Sequence, residues 1–91
     1  MPAWVKRLRA MVTNPHGHSY ADAARVLDAC RFAPPRRPSG SHRCWRHQSG
    51  VRCVLVEAGH GTLRSEYIKD MIRAIEAAGE MPTLITEGDA T

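Results

Sequence analysis

Apolar residues recur along this chain first at helical spacing, then at strand spacing, then at helical spacing again. Over residues 2–13, Trp4, Leu8, Met11 and Val12 form an i, i+4, i+7, i+8 stripe while Lys6, Arg7 and Arg9 fall elsewhere on the wheel. This predicts an amphipathic helix, with Pro2 in its first turn and Asn14-Pro15 ending it. A basic helix of this kind suits packing on a domain, and also suits a membrane surface or a partner. His16-Gly17-His18 reads as a linker. Ser19 then takes the N-cap position, with Asp22 three residues on as in a capping box, and opens a helix over about 20–31. Tyr20, Ala23, Ala24, Leu27 and Cys30 make its apolar face, with Val26 at the edge.

The period then changes. Pro34, Pro35 and Pro38 lack the amide hydrogen a sheet ladder needs, so residues 32–38 predict an edge strand or a broken one, with Arg36-Arg37 an exposed basic pair. Two strand-like runs follow, about 42–47 and 51–57, joined by Gln48-Ser49-Gly50 as a hairpin loop. In the second run Val51, Cys53 and Leu55 alternate with Arg52, Val54 and Val56, and the apolar content on both sides predicts a central strand. Residues 58–61 read as a flexible loop. Ser65 is the expected cap of a last helix over about 66–78, with Tyr67, Ile68, Met71, Ile72, Ile75 and Ala78 as its stripe and Gly79 as its stop.

The expected fold is therefore α+β. It is a two-layer sandwich of a three-stranded antiparallel sheet with helices on one face, plus an extra N-terminal helix. Double-stranded-RNA-binding domains share the α-β-β-β-α order. The expected organisation is an N-terminal helix and linker over 1–18, one domain over 19–79, and a flexible acidic tail over 80–91.

Charge narrows the class of partner. Residues 1–52 carry ten Lys and Arg against two Asp and Glu, and residues 53–91 carry three against seven, so a +8 half adjoins a −4 half. A polyanion, nucleic acid first, is the expected partner of the basic half. No apolar run approaches the roughly 20 residues of a membrane span. The three cysteines, odd in number and irregularly spaced, suit a reducing compartment, and with no signal-peptide pattern the expected location is cytoplasmic. Zinc lacks the paired spacings it needs, and Cys44 and Cys53 would miss direct opposition in the hairpin.

The chemistry-bearing stretch is Gly40-Ser41-His42, a small-residue turn that sets an imidazole at the start of a strand with basic residues around it. Backbone holds such a side chain in place, and imidazole moves protons in both directions near neutrality. In this order and spacing the chain resembles the HicA mRNA interferase toxins of bacterial toxin–antitoxin systems. The match runs over about residues 4–79: the helix end Val26–Phe32, the basic Arg36-Arg37, Gly40-Ser41-His42, Trp45-Arg46-His47, His60-Gly61 and Glu66-Tyr67-Ile68-Lys69. It departs at Arg31, where the family has glycine, at Arg43, where the family has a second histidine, and at the prolines of the first strand.

The resemblance implies that His42 is the catalytic residue of RNA cleavage, with no required metal or small-molecule cofactor. It also implies a cognate HicB-like antitoxin that covers His42 and the basic surface. Arg36, Arg37, Ser41, Arg43, Arg46 and His60 are the expected RNA-binding residues, the guanidiniums to offset charge on the phosphate. His47 and His60 are candidates for the second acid or base, or else surface histidines. Trp45 is a candidate base-stacking platform, or else core. The rival expectation is a non-catalytic RNA-binding or protein-interaction module of the same fold.

Overall fold

The computed structural model describes residues 1–37, 40–57 and 61–83. The elements run α1 (Ala3–Thr13), α2 (Tyr20–Ala29), β1 (Phe32–Ala33), β2 (His42–His47), β3 (Arg52–Val56) and α3 (Ser65–Ala77). This is the expected α+β order. The three strands form one antiparallel sheet in the order β1-β2-β3, and the helices gather on one side of it. Among the described residues no helix is long and apolar enough to cross a membrane.

The helices follow their apolar stripes with informative shifts. In α1 the buried set is Val5, Leu8 and Met11, while Trp4 and Val12 sit half-buried at its margins. This helix shares the core of the other elements, and Arg7 Nε reaches Asp22 Oδ1 at 3.2 Å on α2. Ser19 does cap α2, its Oγ accepting from the Asp22 N–H at 3.1 Å. The Asp22 carboxylate does not return to the Ser19 amide as a full capping box would; it faces Arg7 and Arg25. Val26 is fully buried, not at the edge of the stripe. The helix stops at Ala29, short of the expected residue 31, because Arg31 adopts φ 67° and turns the chain into β1.

The cap of α3 differs from expectation. Arg64 occupies the N-cap position without a side-chain cap, and Ser65 is already in the first turn. The other end closes as expected at Gly79: its N–H donates to the Glu76 carbonyl at 3.0 Å and that of Glu80 to the Ile75 carbonyl at 3.0 Å, a Schellman motif. Ile68, Met71, Ala74 and Ile75 point inward from this helix. They meet Leu8, Met11, Leu27, Phe32, Trp45, Cys53, Leu55 and Leu63 in a single cluster. Each large aliphatic side chain buried there stabilises the fold by about 1.5–3 kcal/mol relative to exposure.

The sheet corrects two expectations. Residues 52–56 form an edge strand, and β2 is the central one. Apolar residues on both faces of β3 suggested burial on both, yet Val54 is 44% exposed. The first strand is only Phe32 and Ala33, opposite His47 and Arg46, because Pro34 and Pro35 cannot extend the ladder. Arg36 and Arg37 lie in a bend instead of a basic strand.

The hairpin between β2 and β3 is the one the loop predicts. The His47 N–H donates to the Val51 carbonyl and the Gly50 N–H to the His47 carbonyl, both at 2.9 Å, with Gly50 at φ 97°. That is a three-residue loop with its last residue left-handed, a conformation glycine takes without strain.

Candidate nucleic-acid interface

Strand alternation decides which β2 side chains face the core. Trp45 and His47 are buried on the helix side, whereas His42, Cys44 and Arg46 point to the open side. The pairing carries that open face onto the neighbours: Ala33 lies beside Arg46, Arg46 beside Arg52, Cys44 beside Val54, and His42 beside Val56. Cys44 and Cys53 are accordingly not opposed; Cys53 pairs with Trp45 and faces the core.

On the open side, between the strand and the proline-arginine bend, runs an open groove of about 950 Å³. His42, Cys44, Arg46, Pro35, Arg36 and Arg37 line it, with Arg31 at one end. None of its lining residues is acidic. Among the described residues Arg31, Arg36, Arg37, Arg46 and Arg52 have no carboxylate partner. Arg46 and Arg52 stand directly opposite each other, a like-charge cross-strand pair that is destabilising by about 0.2–1 kcal/mol. Uncompensated guanidiniums around an exposed imidazole attract a polyanion and orient its phosphates.

His42 is held by its surroundings. Gly40, at φ 56°, makes the turn into β2. The Glu57 N–H donates to the Ser41 carbonyl at 2.8 Å, which extends the ladder one pair past the histidine. Arg43 projects to the other face. Its Nη1 donates to the carbonyls of Gly40 at 2.7 Å and His42 at 3.2 Å, and its Nη2 lies 3.3 Å from Glu57 Oε1. The structure thus brings His42, Arg36, Arg37 and Arg46 to one groove, and leaves Arg43 out of it, occupied in bracing the turn. Ser41 is half-buried, and His60 lies outside the described residues.

Two side chains expected at a surface are inside. Trp45 is 5% exposed and its indole N–H donates to the Tyr20 hydroxyl at 3.2 Å, so the ring is core and not a platform for bases. His47 is buried against the Phe32 ring at 5.1 Å, neither on the surface nor on the face of His42. The Ser49 N–H donates to His47 Nδ1 at 3.1 Å, so Nε2 carries the hydrogen and donates to Glu80 Oε2 at 2.7 Å. Glu80 and Met81 are therefore docked, and the chain leaves the domain later than the acidic tail predicts. Residues 84–91 of that tail lie outside the described residues.

The buried thiols are unsuited to nucleophilic work. Burial pushes Cys53 up to about 12, with Asp70 and Cys44 adding to it, and burial pushes Cys30 up to about 11, with Glu80 adding to it. Among the described residues no three His, Cys, Asp or Glu side chains converge as a metal site requires.

Arg31 and Arg52 extend the basic surface beyond the residues expected from the sequence. For Arg52 the signal was present: a three-residue loop sets it opposite Arg46 and on the same face. Compared with family models, with curated proteins and with solved structures, the chain matches none.

Proposed function

We propose that this protein is a HicA-like endoribonuclease that cleaves mRNA with His42 and is held inactive by a HicB-like antitoxin laid over the open face of the sheet. The observation that carries the reading is an exposed imidazole at the start of β2, sharing one groove with the unpaired guanidiniums of Arg36, Arg37 and Arg46. RNA cleavage of this type makes a bond from the ribose 2′ oxygen to phosphorus and breaks the bond to the 5′ oxygen. The 2′ hydroxyl loses a proton and the departing 5′ oxygen gains one, leaving a 2′,3′-cyclic phosphate and a 5′ hydroxyl. His42 serves one of these transfers, with water or another side chain serving the other. The guanidiniums offset the charge that builds on the phosphate oxygens.

A non-catalytic RNA-binding module is the second reading, and one observation favours it. Among the described residues no other histidine or carboxylate lines the groove with His42. The residue that follows is Arg43, which turns to the opposite face.

Incubating the full chain with end-labelled single-stranded RNA and with a duplex separates the two. Cleavage with cyclic-phosphate ends, lost about 10²–10⁴-fold in His42→Ala while binding holds within a few-fold, is the expected result. Binding without cleavage at any protein concentration establishes the second reading. Growth arrest in a bacterial host by wild type and His42→Ala alike removes the role of His42.

A further inference from the structure

The two edges of the sheet are treated differently. At β1 the ladder is two residues long and runs into Pro34 and Pro35, devices that stop another strand from pairing. At β3 there is no proline and no lysine. Hydrogen bonds bracketing the hairpin, His47 to Val51 at one end and Glu57 to Ser41 at the other, fix which residues of β3 bond inward to β2. They are Val51, Cys53, Leu55 and Glu57. Arg52, Val54 and Val56 therefore direct their backbone N–H and C=O groups away from the sheet. Among the described residues those groups meet no partner in the loops, turns or side chains.

We infer that the β3 edge pairs with the β3 edge of a second copy of this chain, antiparallel about a two-fold axis at Val54. In that register Val54 lies beside Val54 of the copy, and Arg52 lies beside Val56 on either side. The side chain that is most out of place in the monomer, Val54 at 44% exposure, is covered by its own image. Slipping by one step toward the hairpin sets Arg52 against Arg52, and slipping the other way carries Val54 past the end of the strand. A single register thus buries the valines without opposing like charges, the self-complementarity a two-fold interface requires. On the helix side of β3, Asp70 is matched by Arg73 at 3.1 Å, so no uncompensated charge of that pair opposes approach. The product is one continuous sheet, with the His42 groove of both copies on the same side. This inference does not depend on the RNA reading.

The test uses the full chain in about 0.5 M salt, where repulsion between two basic proteins is screened to a few ångströms. Sedimentation equilibrium is expected to give twice the chain mass at high protein concentration. Amide hydrogen exchange, read residue by residue, is expected to show concentration-dependent protection at Arg52, Val54 and Val56. Val54→Lys sets two like charges on the axis, and is expected to weaken the dimer at least about tenfold. Val54→Pro removes an outward N–H without touching the ladder to β2, and serves where the lysine variant is compromised. A chain that stays monomeric, a dimer unaffected by both variants, or a dimer whose even-numbered β3 amides exchange as fast as in the monomer each overturns the inference.

Discussion

The two faces of this sheet handle charge in opposite ways. On the helix side every charged group near the core is matched: Arg7 and Arg25 with Asp22, Arg43 with Glu57, Arg73 with Asp70, and His47 with Glu80. On the open side Arg36, Arg37, Arg46 and Arg52 face solvent and one another. Exposed pairs of the first kind contribute at most about 1 kcal/mol each, so they organise contacts more than they stabilise. Groups of the second kind work against the free protein. A chain that leaves guanidiniums uncompensated on one face only, and sets two of them opposite each other, has put recognition ahead of stability on that face.

The comparison breaks most readily on the arginines. Replacing Arg36, Arg37 and Arg46 together by alanine is expected to weaken RNA binding by about 10–100-fold near 0.1 M salt and to flatten its salt dependence by about 0.7 per lost phosphate contact. The matching triple on the helix side, Arg7, Arg25 and Arg73 to alanine, is expected to leave binding within about twofold, since paired, distant charges release no counterions from the complex. Salt titrations by fluorescence anisotropy measure both; equal losses would mean that general attraction, and not the groove, binds RNA.

A second effect belongs to the matched side. Glu80→Ala leaves the buried Nε2–H of His47 without an acceptor, and is expected to destabilise the protein by about 1–3 kcal/mol in urea unfolding. RNA affinity should not change, because His47 faces away from the groove.

The thiols sharpen the contrast through pH. In the folded protein Cys30 and Cys53 keep their protons to about 11 and about 12, whereas the ordinary value of 9.0 applies once the chain unfolds. The unfolded state therefore releases protons first. Stability is whole below pH 9 and falls as pH rises beyond it, by up to about 1.4 kcal/mol per pH unit for each thiol, until the folded thiol also ionises. Cys53→Ala should flatten this alkaline slope between pH 9 and 10.5 even though it lowers stability at pH 7, as denaturant midpoints across that range will show.

The smallest expected change is a gain. Arg31 holds φ 67°, a left-handed conformation that strains any residue with a Cβ. Arg31→Gly is expected to add about 0.5–1 kcal/mol, visible as a rise in thermal midpoint, while removing one cation from the end of the groove.

How far these features can be read from residues alone depends on their range. The hairpin is local: loop length and Gly50 place Arg46 opposite Arg52 and keep Cys44 away from Cys53. Helix stripes are local too, and err only by a residue or so at their margins, as with Val5, Val26 and Ser65. Strand order is not. Val54 and Val56 make β3 look doubly buried, and only the path of α2 into β1 reveals that β2 lies between them. The partner of His47 is further still from view, since Glu80 is 33 residues away and reaches it only after α3 has crossed the sheet. Of the candidate site, His42 and three of its arginines share a face; Arg43, the next residue, was bound by strand alternation to leave it.

That departure has a use. With its guanidinium tied to the carbonyls before and at His42 and to Glu57, Arg43 works as a guy-rope on the loop that mounts the imidazole. Stripping it would slacken the mount and blunt activity with no phosphate ever having been touched, so a survey of this surface by charge removal would miscount its anchors by one.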